Sequence, residues 1–351
     1  MRKTKLISTL ITVIMVISMI PSFVMADGDN PDNDTRGFVE RLYTVALGRE
    51  ADEAGLDYWT ERLNSHTASS ISVARGFIFS EECIAATADN AAYISVLYRA
   101  ILGREPDEAG LAEWTRRLSA GESRTSIFNG FVYSDEFRAI CESYGLGRMI
   151  DPDRPMVALT FDDGPGARTD EIINILQQTN QAATFFVVGL NAQYHVDTLR
   201  HMEEAGCEIG NHTFNHAYIT RLSPEALSDE IESTNSYIRQ ATGHDATLLR
   251  PPGGSHNEAS DALVGLPIIL WSVDTRDWQT RSTEATINSV LSSVSDGSII
   301  LMHDIHPTTV DAALYLIPEL QRRGYQLVTV SELAAYRGGM TAGNAYRSFR
   351  P

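Results

Sequence analysis

From residue 156 onward, short apolar runs alternate with longer stretches of helical periodicity, and this pattern constrains the fold more than any other feature. Within the runs, apolar residues follow one another without alternation, which is typical of strands buried on both faces of a parallel sheet. Helix-starting signals stand between the runs, such as Ser223 before Pro224. The seven runs are 156–161, 183–188, 207–210, 247–249, 268–273, 299–302 and 325–330. They predict an α/β domain folded as a distorted (β/α) barrel rather than an open sheet.

Charged and imidazole side chains come directly after these runs. In a (β/α) barrel such positions all lie at the carboxyl-terminal rim, where active sites assemble. Polar residues scattered for solubility would have no reason to choose one rim, so we expect these residues to form one site. They are Asp162 and Asp163 after the first run, His212 and His216 after the third, Arg250 after the fourth, Asp274 and Asp277 after the fifth, and His303 after the sixth.

Asp163, His212 and His216 are predicted to bind one divalent metal ion. Two histidines four residues apart can reach one ion from a tight loop, and the carboxylate of Asp163 adds a third ligand. Three protein ligands leave positions open for water and substrate, and such an ion lowers the pKa of a water molecule toward about 7. Alone, the histidine pair would indicate packing or capping. Its place on the same rim as the acidic pair favours the metal site.

Asp162 and His303 are predicted to transfer protons. Adjacent carboxylates at a strand end point in different directions, so Asp162 can accept a proton from water while Asp163 binds metal. His303 follows an apolar run and suits a general acid that protonates a leaving amine. Arg250 can keep Asp162 ionised, and Asp277 can keep His303 charged. Purely structural ion pairs are the alternative interpretation of both contacts.

The backbone of Gly253 is a predicted hydrogen-bond donor to the substrate. Pro251 and Pro252 have no N–H group, so Gly253 carries the first main-chain donor beyond Arg250. A donor aimed at a developing oxyanion lowers the reaction barrier by about 3 kcal/mol. We therefore expect Gly253 to lie in the substrate site.

The N-terminal half contains a sequence repeat. Leu-Gly-Arg-Glu occurs at 47–50 and again at 102–105, and Trp59 matches Trp114. Apolar residues recur at helical spacing in each copy, so each copy is a small helical module that needs a neighbour to bury its apolar face. The acidic residues that follow each Leu-Gly-Arg-Glu indicate helix starts rather than calcium loops. The sequence therefore predicts a separate all-α domain without catalytic residues.

The first residues have the layout of a secretory signal peptide. Basic residues precede a short apolar run, and small residues stand just before the acidic stretch that begins at Asp27. An uncleaved membrane anchor is the alternative, but the run is shorter than the ~20 residues of a bilayer span. We therefore expect a secreted protein. The predicted segments are a signal peptide at 1–26, helical repeats at 36–147 (about 36–90 and 91–147), a linker at 148–155, a catalytic domain at 154–337 and a tail at 338–351.

Composition argues against two classes of protein. Beyond residue 26 the chain has 25 basic and 46 acidic residues, so a basic face for nucleic acid is not expected. Cys83, Cys141 and Cys207 are few, odd in number and without C-x-x-C spacing, which argues against a disulfide scaffold or a cysteine zinc site. Buried free thiols are favoured over a bridge between Cys83 and Cys141.

The chain from about 154 to 337 resembles the polysaccharide deacetylases of carbohydrate esterase family 4. Five of the family's motifs occur in order: Thr-Phe-Asp-Asp-Gly-Pro at 160–165, His-Thr-Phe-Asn-His at 212–216, Arg-Pro-Pro at 250–252, Asp-Thr-Arg-Asp-Trp at 274–278 and Leu-Met-His at 301–303. The resemblance implies the following roles: Asp162 as base, Asp163, His212 and His216 as metal ligands, His303 as acid, Arg250 and Asp277 as tuning charges, and Trp278 and Leu301 as the pocket for the acetyl methyl group. This chain departs from the family at Gly253, where an aromatic residue is usual. The change keeps the backbone donor and alters the wall of the substrate groove.

The function implied by the resemblance is metal-dependent hydrolysis of N-acetyl groups on an envelope polysaccharide, with release of acetate. Residues 271–274 and 303–307 look most like the branch that acts on peptidoglycan N-acetylglucosamine. Zn²⁺ is the favoured ion, with Co²⁺ or another divalent ion as alternatives. Other candidates are a chitooligosaccharide or poly-N-acetylglucosamine deacetylase, an acetylxylan esterase, and an inactive glycan-binding or adhesion protein. The helical repeats resemble a module of unknown function in secreted bacterial proteins, which suggests association with the cell wall or a surface protein.

Overall fold

The computed structural model describes residues 34–65, 68–146, 148 and 150–351. The predicted signal peptide at 1–26 lies outside these residues. Among the helices in the described ranges, none has the length and apolar character that a membrane span requires.

The N-terminal region is all helical, and the same order of helices occurs twice. Its elements are α1 (Thr35–Arg41) with a π-helical turn (Leu42–Ala46), α2 (Glu53–Asn64), α3 (Ser70–Ile78), α4 (Glu81–Ala86), α5 (Asn90–Ile101), α6 (Glu108–Ser119), α7 (Arg124–Val132) and α8 (Asp135–Tyr144). Helices α2 and α6 both have 12 residues, and an aspartate caps each of them. Asp52 accepts a hydrogen bond from the backbone of Gly55 at 2.9 Å, and Asp107 does so from Gly110 at 2.8 Å. The acidic turns therefore start helices, as the sequence indicates.

The two copies bury one continuous apolar core. Phe38 and Leu42 from the first copy and Ile94 and Phe128 from the second are fully buried in the same cluster. Neither copy could hide this surface alone, which explains why the repeat occurs as a pair. Cys83 and Cys141 are also buried there, and both are free thiols.

The C-terminal region consists of parallel strands with helices between them. Its strands are β1 (Met156–Asp162), β2 (Thr184–Val187), β3 (Glu208–Asn211), β4 (Ile268–Ile269), β5 (Val273–Asp274), β6 (Ile299–His303), β7 (Gln326–Leu327) and β8 (Ala345–Tyr346). Its helices are α9 (Thr169–Gln178), α10 (Gly189–Ala192), α11 (Val196–Glu204), α12 (Pro224–Thr242), α13 (Glu258–Val264), α14 (Asp277–Thr280), α15 (Thr283–Ser293), α16 (Pro307–Arg322) and α17 (Val330–Ala335), with 3₁₀ turns at Ile219–Arg221 and Pro252–Gly254. The predicted α/β fold with a separate helical region is confirmed.

The strands close into a ring through one short connection. The hydrogen-bonded order is β3-β2-β1-β6-β5, and β7 pairs with the start of β1. Beyond β3, Leu249 bridges to Asn211 on one side and to Ile268 of β4 on the other. Only residues 270–272 separate β4 from β5, which returns the chain to β6. The ring is therefore completed by the two bridges of Leu249 and by the short segment between β4 and β5. Because these connections are shorter than the pairing of the other strands, the barrel is distorted.

Three of the predicted strands keep half or less of their apolar runs as regular strand. The run at 247–249 contributes only the bridge at Leu249, and the run at 268–273 bends between β4 and β5. The run at 325–330 ends at Leu327 because Thr329 and Glu332 form a capping box that starts α17 at Val330. Apolar side chains keep a segment buried, but a local capping signal decides whether it stays extended.

The segments predicted as linker and tail are integral to the barrel. In the linker, Ile150 is buried and Arg148 forms an ion pair with Glu332. In the tail, β8 pairs in parallel with β4, and Phe349 is buried against the barrel. The predicted domain limits of 154–337 therefore leave out parts of the core.

The helical region docks at the amino-terminal end of β3. Arg62 pairs with Glu204 at 3.0 Å, and Arg75 lies 4.0 Å from Glu203, both at the end of α11. His244 lies 3.3 Å from the same Glu203 carboxylate. These contacts precede β3, whereas the histidines predicted to bind metal follow it. The helical region therefore lies at the opposite end of the strand from the predicted site.

Gly130 and Gly76 occupy matching positions in α7 and α3 but have different surroundings. A Cβ added at Gly130 would lie 2.7 Å from Cη2 of Trp114, whereas one at Gly76 would meet nothing within 4 Å. We expect Gly76→Ala to stabilise the helix by up to about 1 kcal/mol. Gly130→Ala should be less stable than Gly76→Ala by about 1–3 kcal/mol because Trp114 must move. Thermal unfolding of the two variants measures this difference, and equal melting temperatures would contradict the packing.

Candidate metal and active site

The alternation of side chains along β1 determines what faces the inside of the barrel. Val157, Leu159 and Phe161 pack against the helices, so Thr160 and Asp162 point the other way. β6 pairs with β1 in a register that sets Asp162 beside His303. The predicted base and the predicted acid therefore end neighbouring strands at the same rim.

Asp163, His212 and His216 converge on one point. The Oδ1 atom of Asp163 lies 3.4 Å from Nε2 of His212 and 3.2 Å from Nε2 of His216. One ligand atom from each residue lies within 4.8 Å of the other two. Such a cluster could hold one divalent metal ion. The structure thus brings together all three predicted ligands.

The surroundings of these residues fit a metal ion. Nδ1 of His212 lies 2.7 Å from the carbonyl oxygen of Arg250, and because a carbonyl only accepts, Nδ1 carries the proton. Nε2 is then left with a lone pair for the ion. Oδ1 of Asp163 is buried and has no hydrogen-bond donor among the described residues. A cation would satisfy that oxygen.

The electrostatics of the cluster also favour a bound cation. Burial tends to raise the pKa of Asp163, but the close approach of His212 and the positive charge that the nearby histidines carry when protonated outweigh it and lower the pKa to about 2. Burial and the charge of His212 lower the pKa of His216. Both shifts favour the ligating forms, a carboxylate and a neutral imidazole.

The loops that carry the ligands have an unusual backbone. Asp163, Thr213 and His216 have φ values of 73°, 62° and 56°, in the left-handed region that non-glycine residues rarely adopt. Glu230 of α12 holds one of these loops, because its carboxylate accepts the backbone N–H of Phe214 at 2.8 Å and of Asn215 at 2.8 Å. Left-handed backbone of this kind costs about 1–3 kcal/mol per residue and persists only where the surroundings enforce it.

Asp162 is paired with a buried arginine. Nη1 of Arg250 donates to Oδ1 of Asp162 at 2.6 Å and to Oγ1 of Thr160 at 2.7 Å. The guanidinium is fully buried and lies 4.1 Å from the ring centroid of Phe186. Burial lowers the pKa of Arg250, although its ordinary value is high enough that the group stays charged. The pairing predicted from the sequence is therefore a direct contact.

His303 is paired with Asp277. Nδ1 of His303 donates to Oδ1 of Asp277 at 2.8 Å, and the backbone N–H of His303 and the hydroxyl of Thr309 both donate to Oδ2 at 2.7 Å. Burial tends to lower the pKa of His303, but this hydrogen bond and the charges of Asp162 and Asp277 raise it to about 9. The imidazole is thus held charged, with Nε2 as its remaining donor.

The residues predicted to contact substrate lie around these groups. Gly253 is exposed, with a φ of 61°, in the turn that follows Arg250. Leu301 precedes His303 by two positions on β6 and shares its side of the strand. Trp278 follows Asp277 and is 50% exposed. All three border the rim that carries the ligands.

With this geometry established, comparison with known proteins identifies the family. A family profile described as "Polysaccharide deacetylase" matches residues 150–265. A peptidoglycan-N-acetylglucosamine deacetylase of Bacillus cereus is 36% identical over 191 residues, which cover 52% of this chain and 89% of the relative. The chain belongs to the polysaccharide deacetylase family. The resemblance seen in the five motifs is confirmed.

Two further proteins are similar to this chain and have different named activities. The peptidoglycan-N-acetylmuramic acid deacetylase PdaC of Bacillus subtilis is 41% identical over 185 residues, which are 52% of this chain but only 40% of PdaC. A solved PdaC structure superimposes with a TM-score of 0.52 at 40% identity, covering 53% of this chain and 93% of that one. An acetyl xylan esterase of Clostridium thermocellum, solved with a cobalt ion, superimposes with a TM-score of 0.52 at 32% identity. The match covers 55% of this chain and 98% of the esterase chain.

The helical region matches a different family. A profile described as "Domain of unknown function" matches residues 19–87 and 74–141. These two matches overlap at 74–87 and do not coincide with the predicted repeat limits, which stay a prediction.

Three residues near the polysaccharide deacetylase site were not predicted from the sequence. Glu230 looks like an ordinary acid on a helix surface, and nothing in the sequence indicates its bonds to the ligand loop. Asp304 follows His303; it lies against Gly164, and burial raises its pKa to about 7. Tyr218 stands two residues after His216, and its ring lies beside Gly253. For Tyr218, the position of an aromatic residue two places after a predicted metal ligand was the indication that the sequence offered.

Breaking the buried ion pair should destabilise the fold strongly. Arg250→Ala leaves the carboxylate of Asp162 buried and unpaired, which costs about 3–5 kcal/mol. The double variant Arg250→Ala with Asp162→Asn removes the charge as well and should recover part of that loss. Arg239→Ala is the control, because its partners Glu232 and Asp245 are exposed and the loss should stay below about 1 kcal/mol. Urea unfolding measures the free energy of unfolding of each variant. Similar losses of this free energy in Arg250→Ala and Arg239→Ala would contradict a buried pair.

Proposed function

We propose that this chain removes N-acetyl groups from peptidoglycan, with N-acetylglucosamine as the acetylated sugar. The observation that supports this best is the register of β1 and β6, which sets Asp162 beside His303, together with the nearby cluster of three side chains that could bind a metal ion. The reaction adds water to the amide, releases acetate and leaves a free amine on the sugar. Membership of the polysaccharide deacetylase family and the names of its peptidoglycan-acting relatives agree with it.

Asp162 acts as the general base in this proposal. Arg250 occupies its Oδ1, while Oδ2 lies 3.8 Å from Nε2 of His212 and faces the ligand cluster. A water molecule there loses its proton to Oδ2 as its oxygen attacks the acetyl carbon. The guanidinium of Arg250 pairs with Oδ1 of Asp162 and offsets part of the negative charge that the site carries.

Asp163, His212 and His216 would hold the metal ion. A divalent ion there supplies a Lewis acid that makes water more acidic and polarises the acetyl carbonyl group. We propose Zn²⁺, because two imidazoles and one carboxylate are ligands that it prefers, with Co²⁺ as the alternative. The chain's own contribution is to fix these three side chains before the ion arrives.

His303 acts as the general acid. Its Nδ1 proton is committed to Asp277, so Nε2 delivers a proton to the nitrogen of the breaking C–N bond. An amine leaves poorly without that proton, which is why the raised pKa of His303 matters. The site is reset when the proton held by Asp162 passes, directly or through solvent, to His303, so that Asp162 is again a carboxylate and His303 again an imidazolium.

The remaining predicted residues bind and orient the substrate. We propose that the N–H of Gly253 donates to the oxygen that becomes negative during attack, and that Leu301 and Trp278 contact the acetyl methyl group. We also propose a secreted protein, from the signal-like sequence at 1–26. Association of the helical repeats with the cell wall or a surface protein stays a prediction.

N-acetylmuramic acid is the second candidate sugar. The relative that supports it is PdaC, whose name states that activity and which is 41% identical to this chain. Acetylxylan is a third candidate, on the strength of the Clostridium thermocellum esterase. An oxygen leaving group depends less on a strong acid, so loss of His303 would harm an esterase less than an amidase.

Mass spectrometry of peptidoglycan fragments tests the function and the sugar together. We expect the purified chain to remove an acetyl group from N-acetylglucosamine units, which lowers the mass of the fragment accordingly. Loss of acetyl groups from muramic acid units would favour the second candidate. Chelation should abolish the loss, and Zn²⁺ or Co²⁺ should restore it. Activity that survives thorough chelation would contradict the metal site.

Two substitutions separate chemistry from folding in the same assay. Asp162→Asn and His303→Ala should each lower kcat by about a hundredfold or more. Glu258→Gln is the matched control, because this carboxylate is exposed at the start of α13, beyond the Gly253 turn, and has no role in the proposed chemistry. Full activity in both Asp162→Asn and His303→Ala would overturn the assignment.

The pH profile should reveal the pairing of His303 with Asp277. His303 must be protonated to act as an acid, so kcat should fall as pH rises through about 9. Asp277→Asn removes the carboxylate that raises this pKa, so the alkaline limb should move toward the ordinary histidine pKa of about 6.5. A profile of kcat against pH for both proteins measures the shift. An unchanged alkaline limb would show that another group is the acid.

A further inference from the structure

Large apolar side chains that are exposed to solvent concentrate around the candidate site. Nine such side chains occur among the described residues, and five of them lie in the loops and short helices that follow the carboxyl-terminal ends of the strands. They are Leu190, Tyr194, Tyr218, Trp278 and Ile305. Exposed apolar surface that gathers at one rim marks a binding surface more often than chance exposure does.

Tyr218 has a defined position within this surface. A Cβ added at Gly253 would lie 2.8 Å from Cε1 of Tyr218 and 3.2 Å from its hydroxyl oxygen. The ring therefore fills the space in which a side chain at position 253 would begin. The missing side chain at Gly253 is what lets the aromatic ring from the preceding loop reach this place.

Neighbouring groups hold the ring of Tyr218 in position. The guanidinium of Arg221 lies 4.8 Å from the ring centroid, and the hydroxyls of Thr220 and Ser255 hydrogen-bond at 2.8 Å, which ties the two loops together. Despite these contacts the side chain remains 39% exposed. A ring that is fixed in place and still open to solvent can bind a partner without losing much conformational freedom.

Tyr218 and Trp278 lie on opposite sides of the catalytic strands. Tyr218 follows β3, Trp278 follows β5, and β1 lies between these strands in the sheet order. Asp162, at the end of β1, therefore lies between two exposed aromatic rings. A polymer that places one acetyl group at the centre would extend over one or both of them.

We propose that Tyr218 is a sugar-binding platform for a glycan unit next to the one that is deacetylated, and that it makes the enzyme favour longer chains. This inference rests on the proposed function, since it assumes a glycan in the groove. The face of a pyranose ring carries C–H groups that pack on an aromatic ring, and the ring also supplies rigid contact area. The alternative is that Tyr218 only covers Gly253 and supports the turn.

Binding measurements distinguish these roles without relying on catalysis. We would titrate N-acetylglucosamine dimer and hexamer into the His303→Ala protein, which keeps the Arg250–Asp162 pair, and into the same protein carrying Tyr218→Ala or Tyr218→Phe, using calorimetry. We expect Tyr218→Ala to weaken hexamer binding about tenfold while dimer binding changes less than about twofold, and Tyr218→Phe to keep most of the affinity. Tyr315→Ala, an exposed tyrosine on α16, is the control and should change neither.

The outcomes separate this inference from the proposed function. Equal weakening for both oligomers, or no weakening for either, would overturn the role of Tyr218. Loss of the native melting temperature in Tyr218→Ala but not in Tyr218→Phe would instead indicate a structural cover. Acetate release by the otherwise unaltered chain, measured on the same oligomers, tests the function on its own, so length-dependent binding without acetate release would reject the activity and keep the platform.

Discussion

The ion pair between Arg250 and Asp162 is the interaction on which the rest of the site depends. It joins the turn after Leu249, which bridges β3 to β4, to the end of the central strand. The carbonyl of the same arginine fixes the tautomer of His212, so one residue orients both the proposed base and a proposed metal ligand. A charge buried this deeply is tolerated only because a partner and several hydrogen bonds surround it, which leaves little freedom for any group nearby.

Sequence reasoning succeeded where the chemistry is carried by short motifs. The ligands in 162–163 and 212–216 are close along the chain, and continuous apolar runs are unambiguous for strands such as β1 and β6 that are buried on both faces. Because every βα loop of such a fold ends at the same rim, the strand pattern alone predicted that these motifs meet. The structure brings them together, while their individual roles remain predictions to be tested by substitution.

What the sequence could not supply depends on contacts between distant segments. Glu230 looks like a solvated helix residue until the docking of α12 places it against the ligand loop. The end of β7 was missed because the capping box at Thr329 competes with the apolar run. The strand β8 was missed because its partner β4 is far away in sequence, and two residues give no periodic signal. In each case, long-range packing or a competing local signal decided the outcome.

The docking of the helical region at the start of β3 has a consequence for orientation. Arg62 and Arg75 join the repeats to Glu204 and Glu203 at one end of the barrel, while the ligand histidines leave β3 at the other end. The ion pair between Arg148 of the linker and Glu332 is a further contact between the two regions. If the repeats bind a surface, that surface would therefore lie on the opposite side of the barrel from the predicted catalytic rim, and the rim would face away from it.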